Sequence, residues 1–529
     1  MSARGACRPA ALLGVLAAAA MLGACAGQRG GAAARAAPSA AAAAAAVRFL
    51  LVNDVYVLDT LRDGSGGLAR VAWTRDSLAR DGPLVFVLAG DVLSPSLLSK
   101  WYAGRQMVEG FNAAKLDYAT FGNHEFEIPR DTLLARIAAS RFRWISTNCT
   151  QPDGSPFPGV LPWDTLTLAG TRIGLFGLTL RAGYPRWVRC ADPDSTAHAT
   201  VAALRSAGAE LVIALTHQFI YQDTALLARE PDLDLILGGH EHDARAAVIG
   251  GRRVLKADAS SRSAQWVTLR RGVGGAGEAP RGWRQESRLL IMGRGVPADP
   301  ATAGVTRAWT DTLLHRLGPE RVVGTTASAL DARDAFTRRQ EMPFGDLVAD
   351  AVRLGTGADV GLLNSGTLRL DDVIDPGPVT NYVLESIFLF ANETRIVTFP
   401  LTGARLREVL EHSVAGAGTG GFLQVSGVAF RYDPGRLAGQ RIVGDLTRPD
   451  GRPVRADDTL SVAFGVYSAC QGGDAYAIPE ASESTLCRRW AGEPASLPRA
   501  VDLLIEHISR RLGGTIGTPP AGRIVRTGG

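Results

Sequence analysis

The sequence lacks several features that would place the protein in other functional classes. Its net charge of +5 is carried almost wholly by dispersed arginines, without the basic run that nucleic-acid-binding proteins show. None of its six cysteines has the tight Cys-x-x-Cys spacing of a zinc or redox site. Beyond the N-terminus, no apolar segment is long enough to cross a bilayer. The sequence therefore argues against a nucleic-acid binder, a thiolate metal site and a membrane-spanning bundle.

Size and composition indicate a folded protein with more than one core. The chain has 529 residues, of which 46% are hydrophobic and 21% are charged, as in globular proteins. A single hydrophobic core rarely serves a chain of this length. We therefore expect two domains preceded by a tail.

The N-terminus has the pattern of a secretory signal. Arg4 and Arg8 precede an apolar run that ends in Leu22-Gly23-Ala24-Cys25. A basic region, a short apolar region and small residues are typical of a cleaved signal peptide. Leu-x-Ala-Cys resembles the bacterial lipobox, which implies that Cys25 becomes the lipidated first residue. The alternative is an ordinary cleaved signal with an incidental cysteine.

We therefore predict a lipoprotein signal peptide over 1–25 and a flexible Ala/Gly-rich tether over 26–46. The protein is expected to be exported and lipid-anchored to a bacterial membrane, facing the periplasm or the cell exterior. The lipid anchor would be its only contact with the membrane.

Four further cysteines remain once Cys7 and Cys25 are set aside. An even number in an exported protein suggests two disulfides. The separations favour Cys149 with Cys190 and Cys470 with Cys487. The alternative is that these cysteines are buried free thiols.

From Val47 onwards, apolar runs alternate with helical stretches. The predicted strands are Val47–Val52, Leu84–Leu88, Tyr118–Phe121, Ile173–Leu178, Leu211–Leu215, Leu233–Leu237, Arg253–Lys256 and Gln265–Arg271. Helices are predicted near Leu68–Arg80, Met107–Lys115 and Val201–Gly208. This alternation indicates a layered α/β domain whose sheet is buried on both faces.

Polar side chains follow five of these strands. The set is Asp54, Asp91, Asn123, His217, His240 and His242. Mixed carboxylate, amide and imidazole groups suit borderline divalent metals, and a carboxylate such as Asp91 can bridge two ions. Taken singly, each residue could instead cap a helix or lie in a solvated turn. Five ordered strand ends make a metal centre the better interpretation.

The stretch Phe121–Glu127, Phe-Gly-Asn-His-Glu-Phe-Glu, adds a group that can move a proton. The His124 imidazole is a group that can accept or give a proton, and Glu127 follows it by three residues. If the chain turns into a helix there, Glu127 orients the His124 imidazole.

These motifs resemble the calcineurin-like metallophosphoesterase domain of the 5′-nucleotidase family. The family's Asn-Asp-x-His, Gly-Asp, Gly-Asn-His-Glu-Phe-Asp, Thr-His and Gly-His-x-His motifs occur in order from Asn53 to His242. The resemblance implies a four-layer α/β/β/α catalytic domain over 47–295 that holds two divalent ions, Zn, Mn, Co or Fe. It also implies that His124 and Glu127 are catalytic and that the six strand-end residues are ligands.

Two positions depart from the family pattern. Glu127 replaces the aspartate that supports the catalytic histidine, and Tyr56 stands where most members have a metal-binding histidine. The Asn-Asp-Val-Tyr sequence resembles a branch that includes mannosylglucosyl-phosphoglycerate phosphatases. For Tyr56 three interpretations are open: water completes the ion's shell, Tyr56 binds iron, or Tyr56 merely packs beside the site. We favour the last.

The second half resembles the family's C-terminal substrate domain. We expect a linker helix over 296–321 and a mixed α/β substrate-binding domain over 322–529. The matching segments begin at Arg339, Asn364, Gly421 and Gly472. The resemblance implies that Phe422 and Tyr476 sandwich a base, that Arg369 meets phosphate, and that Asn364 and Arg339 assist.

Together these observations predict an exported two-metal phosphoesterase. Metal-activated hydroxide would attack a phosphate monoester, most simply a nucleoside 5′-monophosphate or a related nucleotide, while His124 assists the leaving group. One alternative is a phosphatase of phosphorylated sugars or glycosyl-phosphoglycerates. Another is an inactive surface-binding lipoprotein. The expected partner is a small phosphate ester rather than a nucleic acid polymer, and the sequence leaves the oligomeric state open.

Overall fold

The computed structural model describes residues 46–528 except 62, 183, 273–281, 391–394 and 493–495. The predicted signal peptide, Cys25 and all but the last residue of the tether lie outside the described residues.

The first sheet of the N-terminal half has seven strands and carries most of the strand ends singled out above. Five of its strands run parallel, from Val47–Val52 outwards, and two antiparallel strands close the other edge. In spatial order the strands are Trp283–Ile291, Ser263–Arg271, Val47–Val52, Val85–Ala89, Tyr118–Thr120, Arg143–Ile145 and Val160–Leu161.

A second sheet of six strands lies against the first. Its four central strands are parallel, and each edge strand is antiparallel to its neighbour. The order is Arg245–Ile249, Arg252–Lys256, Leu235–Gly238, Leu211–His217, Thr171–Thr179 and Trp163–Leu168.

Alternation along the strands produces the layers. Phe49 and Leu51 pack between the two sheets with Ile213 and Leu215, whereas Leu50 and Val52 face the opposite way toward helices. Another cluster lies between the second sheet and its own helices. Because side chains alternate along a strand, a sheet buried on both faces needs apolar residues at consecutive positions. The half is a four-layer α/β/β/α sandwich.

Short helices and turns join these strands. The α-helices are Leu68–Leu78, Ser99–Tyr102, Arg105–Ala113, Arg130–Ala139, Pro193–Ser206 and Ile220–Arg229, with 3₁₀ turns at Ala79–Asp81 and His124–Glu127. A short ribbon pairs Cys149–Thr150 with Arg189–Cys190, and a disulfide joins Cys149 to Cys190. A second disulfide joins Cys470 to Cys487 in the other half.

The helix Pro300–Leu317 leads into the C-terminal half but packs on the N-terminal one. Asp299 caps it by accepting a hydrogen bond from the Thr302 backbone N–H. Its Trp309 is buried in the N-terminal core and donates to Glu109 at 2.9 Å. The helix therefore extends the first half, and the chain leaves it at Gly318.

The described residues of the C-terminal half form four small sheets. Their strands, in spatial order within each sheet, are Gly377–Thr380, Val322–Thr326 and Thr515–Ile516; Leu330–Asp331 and Val373–Ile374; Ile396–Thr402, Thr459–Gly465, Val360–Asn364 and Leu423–Ser426; and Ile442–Thr447, Ala429–Tyr432 and Ile524–Arg526. Two apolar clusters fill this half.

Helices cover these sheets. They are Asp334–Thr337, Pro343–Thr356, Asn381–Ile387, Gly403–Ala415, Val466–Gln471, Pro479–Ser482, Thr485–Gly492 and Ala500–Glu506, with 3₁₀ turns at Ser365–Thr367 and Gly473–Ala475 and a π-turn at His507–Arg511. The mixed α/β, two-domain architecture predicted from the sequence is thus confirmed. Its exact boundaries remain predictions.

The two halves meet through a buried ion pair as well as through the site described below. Lys100 donates to the Glu385 carboxylate at 2.9 Å and to the Phe388 carbonyl at 3.0 Å. Glu385 also accepts from Arg499 at 2.6 Å. Among the described residues, no helix has both the length and the apolar character needed to cross a membrane.

Candidate metal centre and active site

Two aspartates form the floor of the site. Asp54 and Asp91 follow adjacent parallel strands, and both are buried with positive φ angles of 52° and 56°. The Asp54 N–H donates to the Gly90 carbonyl at 3.0 Å, so the two loops run side by side. A non-glycine residue in the left-handed region is strained and is held there by its surroundings, as functional residues often are.

Glycines make room for these carboxylates. A methyl group at Gly122 would overlap the Asp91 carboxylate, and one at Gly90, whose φ is +81°, would lie 2.5 Å from Nδ1 of His217. Only glycine therefore allows the loops to approach this closely.

His217 completes a compact cluster with the two aspartates. Its Nδ1 donates to the Ala89 carbonyl at 2.8 Å, which directs Nε2 toward Asp91 Oδ2, 3.0 Å away. The pair lacks hydrogen-bond alignment, so Nε2 has no hydrogen-bond partner among the described residues. Two atoms that bind the same metal ion approach each other in this way, because both face the ion.

His240 and Asn123 border this cluster. The backbone N–H of His240 donates to Asp54 Oδ2 at 2.9 Å. The centre of the His240 ring lies 5.1 Å from the centre of the His217 ring. Oδ1 of Asn123 is buried without a hydrogen-bond partner in the described structure. A buried amide oxygen without a partner is costly, so this atom is available to a ligand.

His124 and Glu127 form a dyad on the 3₁₀ turn His124–Glu127. In a helical turn, residues three apart share a face. Nδ1 of His124 lies 2.5 Å from Glu127 Oε1, and Ser94 donates to the other Glu127 oxygen at 3.2 Å. The backbone N–H of His124 donates to Asp91 Oδ1 at 2.9 Å, and this hydrogen bond links the dyad to the cluster. The longer glutamate side chain therefore reaches the imidazole.

Tyr56 points into the cluster instead of packing beside it. Its hydroxyl lies 3.2 Å from Asp91 Oδ2, 3.4 Å from Asp54 Oδ1 and 3.3 Å from Nε2 of His242. Burial, together with the Asp91 and Asp54 charges, raises the pKa of Tyr56 well above its ordinary value. Our preferred interpretation of Tyr56 as a mere packing residue was therefore wrong, because the hydroxyl bridges two carboxylates as a neutral donor.

The electrostatics of the cluster call for a positive charge. Burial opposes ionisation of His217, but Asp91 and Asp54 raise its pKa to about 10. Burial likewise opposes ionisation of Asp91, and His217 and His124 nevertheless lower its pKa. Burial, followed by the charge on His217, lowers the pKa of His240 to about 2 and keeps that imidazole neutral. Without a cation, a proton on His217 supplies the missing charge.

The residues fit a metal centre. Ligand atoms of Asp54, Asp91 and His217 all lie within 4.8 Å of one another. Nε2 of His217 and Oδ1 of Asn123 are buried without hydrogen-bond partners in the described structure. This mixed set of oxygen and nitrogen donors suits Mn, Fe, Co or Zn.

Comparison with known proteins agrees with this geometry. A family model for the calcineurin-like phosphoesterases matches residues 47–244, and one for the 5′-nucleotidase C-terminal domain matches residues 322–480. This chain belongs to the 5′-nucleotidase family. As a member of this family, it is a metal-dependent phosphoric monoester hydrolase, and its cofactors are divalent metal ions.

Individual members of the family align along most of the chain. A snake venom 5′-nucleotidase from Naja atra is 23% identical over 465 residues, which cover 79% of this chain and 86% of the relative. The 5′-nucleotidase of Homo sapiens is 25% identical over 460 residues, 78% of each chain. A crystal structure of a 5′-nucleotidase precursor from Thermus thermophilus has the same fold, with a TM-score of 0.76 and 21% identity over 91% of this chain and 99% of that one.

The C-terminal domain of this 5′-nucleotidase family member brings Arg369 to the metal cluster. Its guanidinium lies 3.2 Å from Nε2 of His124, and it lines a cavity of about 410 Å³ together with Tyr56 and His242. This placement is compatible with the expectation that Arg369 meets phosphate, which stays a prediction.

The other predicted substrate residues lie elsewhere. Phe422 is fully buried, and Tyr476 is 3% exposed with its hydroxyl donating to the Gly421 carbonyl at 2.6 Å. Both rings belong to the apolar core of the domain, because the Gly-rich loops fold their aromatics inward. The structure therefore does not support a base sandwich by these two residues.

Asn364 and Arg339 also depart from their expected roles. Asn364 is buried and donates to Asp474 at 3.0 Å, which fixes the turn around Asp474. Arg339 is exposed on the surface and does not line the described cavity. Its neighbour Arg338 instead pairs with Asp334, which does line the cavity.

Glu125 is a positioning residue that the sequence reasoning missed. Its fully buried carboxylate accepts hydrogen bonds from the backbone N–H groups of Asp91, Val92, Leu93 and Gly122, at 2.6–3.0 Å. Two catalytic loops are thereby fixed to one side chain. Its place inside Asn-His-Glu-Phe-Glu was the available signal, but nothing in the spacing distinguishes an inward carboxylate from an outward one.

Lys256 performs a similar task beneath the histidine loops. Its buried ammonium donates to the carbonyls of Gln218 at 2.5 Å and Gly239 at 2.8 Å, next to His217 and His240. Asp223 and Glu241 neutralise it at 2.9 and 2.6 Å. A buried charge is tolerated when it is paired and hydrogen-bonded, as here.

Proposed function

We propose that this protein is an exported dinuclear phosphoesterase that removes phosphate from nucleoside 5′-monophosphates or related nucleotides. One observation carries the proposal: the His124–Glu127 dyad and the Arg369 guanidinium converge on the buried carboxylates of Asp54 and Asp91. A phosphate group bound here would meet a cation site, a guanidinium and a proton donor together.

The ligands divide into two groups around a shared carboxylate. We propose that Asp54 and His242, beside the Tyr56 hydroxyl, form one group with Asp91, and that Asn123, His217 and His240 form the other. A carboxylate that bridges two ions is the usual centre of a two-metal site. When bound, the ions would neutralise phosphate charge and supply a strong oxygen nucleophile at neutral pH.

The protein's own residues supply the remaining steps. Arg369 offers two parallel N–H groups to the phosphate oxygens. Glu127 accepts the Nδ1 hydrogen of His124 and stabilises its positive charge. With a phosphate ester bound beside Arg369, protonated Nε2 of His124 would give its proton to the leaving oxygen as the bond between that oxygen and phosphorus breaks.

Tyr56 leaves the group of ligands around Asp54 and His242 with one metal ligand fewer than the usual family pattern. In the metal-free site, burial and the neighbouring carboxylates raise the pKa of its hydroxyl, which donates to Asp54 and Asp91. We propose that the ion on that side completes its shell with water. A tyrosine-bound iron would require the opposite protonation state.

A second substrate class is favoured by the cavity. Beside Arg369 it is lined by the carboxylate residues Glu320, Asp334, Asp371 and Asp372. Carboxylates accept hydrogen bonds from sugar hydroxyls, whereas the aromatic pair expected to hold a base is buried. A sugar phosphate or glycosyl-phosphoglycerate is therefore the alternative substrate.

Export is proposed from three observations. The N-terminal pattern ending in Cys25 indicates a lipoprotein signal. Two disulfides are typical of oxidising compartments, and one relative in the comparisons is a venom protein. Cys25→Ser should move the protein from the membrane fraction to the soluble fraction, and unchanged fractionation would refute the anchor.

A substrate panel tests the proposed activity. Phosphate release is measured from AMP, UDP-glucose, a cyclic nucleotide and a phosphorylated sugar, with wild type, His124→Ala and His198→Ala. His198 also pairs with a glutamate, Glu230 at 3.1 Å, but its side chain lies exposed on another face. We expect turnover of AMP that His124→Ala abolishes and His198→Ala preserves. Turnover of the sugar phosphate alone would replace the nucleotidase assignment with the alternative.

A further inference from the structure

One residue of the C-terminal domain contacts a metal-ligand histidine of the N-terminal domain. Oδ2 of Asp371 lies 3.1 Å from Nδ1 of His242, which is 129 positions away in the chain. Asp371 has a positive φ of 44°, and its other oxygen accepts the Asp334 N–H at 2.9 Å. The loop is therefore held in a strained conformation that directs one carboxylate oxygen at His242.

This contact determines which nitrogen of His242 carries hydrogen. A carboxylate accepts hydrogen bonds and does not donate them, so Nδ1 is the donor. Nε2 then presents its lone pair toward Asp54 Oδ1 at 3.9 Å and the Tyr56 hydroxyl at 3.3 Å. A histidine binds a metal through the nitrogen without hydrogen, and a partner on the other nitrogen usually fixes that choice.

We propose that Asp371 is a positioning residue that makes His242 a metal ligand, so that one of the two ion sites is complete only when both domains are in contact. The inference rests on the proposed dinuclear centre. It adds that the ion on the Asp54–His242 side, where Tyr56 replaces the family histidine, depends on a carboxylate from the other domain.

A thermodynamic consequence follows from this arrangement. If the Asp371 contact strengthens metal binding at His242, metal binding must strengthen the contact by the same factor. Occupation of this site therefore favours the arrangement of domains in which Arg369 also reaches His124. The second ion, held by Asn123, His217 and His240, makes no use of Asp371.

The test compares Asp371→Asn with Asp372→Asn. The amide of Asp371→Asn keeps an oxygen for the Asp334 N–H but turns its NH₂ group toward Nδ1, which favours hydrogen on Nε2 of His242. Asp372 lines the same cavity, but its carboxylate accepts the backbone N–H of Val373 at 2.9 Å. Both variants remove one negative charge from the same loop.

Mn²⁺ binding to the full chain is measured by calorimetry after chelation. We expect two sites in wild type, a loss of about 10- to 100-fold in affinity at one site in Asp371→Asn, and changes below about threefold in Asp372→Asn. Long-range ¹⁵N NMR of histidine-labelled metal-free protein, recorded at a pH where the His242 imidazole is neutral and assigned with His242→Gln, should show Nδ1–H in wild type and a shift toward Nε2–H in Asp371→Asn.

Three outcomes would overturn the inference. Equal Mn²⁺ affinities with an unchanged His242 tautomer would show that the contact is incidental. Loss at both sites together with a lowered melting temperature would make Asp371 a structural residue of its loop. Equal losses in both variants would show an effect of charge alone. Wild type that binds no Mn²⁺ would instead refute the proposed dinuclear function itself.

Discussion

The guanidinium of Arg369 lies 3.2 Å from Nε2 of His124, although the two residues are 245 positions apart in different domains. The proposed phosphate-binding cation and the proposed proton donor thus lie side by side. Neither domain contains the complete set of groups that the proposed reaction needs. Domain contact therefore assembles the active site.

Replacing Arg369 by lysine tests the role of its geometry. Lysine keeps the charge but loses the planar fork that matches two phosphate oxygens. We expect kcat/KM for the preferred phosphate ester to fall by about 10- to 100-fold. Steady-state kinetics with Arg339→Lys as the exposed control should show no such loss, and an equal loss in both variants would contradict the assignment.

Glu127 is the departure from the family pattern that can be tested most directly. Glu127→Ala removes the partner 2.5 Å from Nδ1 of His124 and should lower kcat by about 10- to 100-fold. Glu127→Asp restores the family residue and should retain most of the activity. The kcat values of the three proteins provide the test: an alanine variant as active as wild type means that the dyad is not catalytic.

Tyr56 gives a prediction about metal binding. Tyr56→His restores the usual ligand of the family and should raise metal affinity at the site formed with Asp54 and His242 by about tenfold or more. Tyr56→Phe should not lower that affinity, because a protonated phenol contributes no anionic ligand. Metal analysis and Mn²⁺ titration measure both effects. A visible charge-transfer band in wild type as purified would instead show tyrosine-bound iron.

The fold was largely predictable because several central strands consist largely of consecutive apolar residues. Leu211–Leu215 and Leu233–Leu237, for example, correspond to strands Leu211–His217 and Leu235–Gly238. The split into two sheets was not evident from these runs, because a strand buried on both faces gives no sign of which sheet it joins. The prediction of two sheets in four layers came from the family resemblance.

The cluster of candidate ligands was also predictable, because its members follow the carboxyl ends of parallel strands in the two sheets. Residues that only hold the candidate ligands and their loops in place could not be predicted from the sequence. Glu125, Lys256 and Asp371 are buried or turned inward by tertiary contacts that no local pattern encodes. The prediction for Phe422 and Tyr476 failed for the same reason, since an aromatic residue on a Gly-rich loop has the same local sequence whether it faces a ligand or the core.

Asp346 provides a prediction about stability and pH. Burial raises the pKa of this carboxyl to about 8 despite Arg523, whose Nε lies 3.7 Å from it. The folded-state pKa is therefore above the unfolded value of about 4, so the unfolded chain loses the proton first and stability falls as pH rises from about 4 to about 8. Asp346→Asn removes this effect and should stabilise the protein at pH 8 by a few kcal/mol but hardly at pH 4.

Thermal unfolding of the metal-free chain at both pH values measures this difference. Asp350→Asn is the control. The Asp350 carboxylate accepts hydrogen bonds from both terminal nitrogens of Arg523 at 2.8 Å, so loss of this carboxylate should destabilise the protein at pH 8. A melting temperature of Asp346→Asn that falls equally at both pH values would contradict the raised pKa.

The most direct test of the account is phosphate release from AMP by metal-stripped and Mn²⁺-reloaded protein, with His124→Ala treated in parallel. We predict no turnover without metal, full recovery when two ions per chain are bound, and a loss of about 10²- to 10⁴-fold in His124→Ala although it still binds two ions. A stripped protein that remains active, or a reloaded His124→Ala as fast as wild type, would contradict the proposed metal-dependent mechanism.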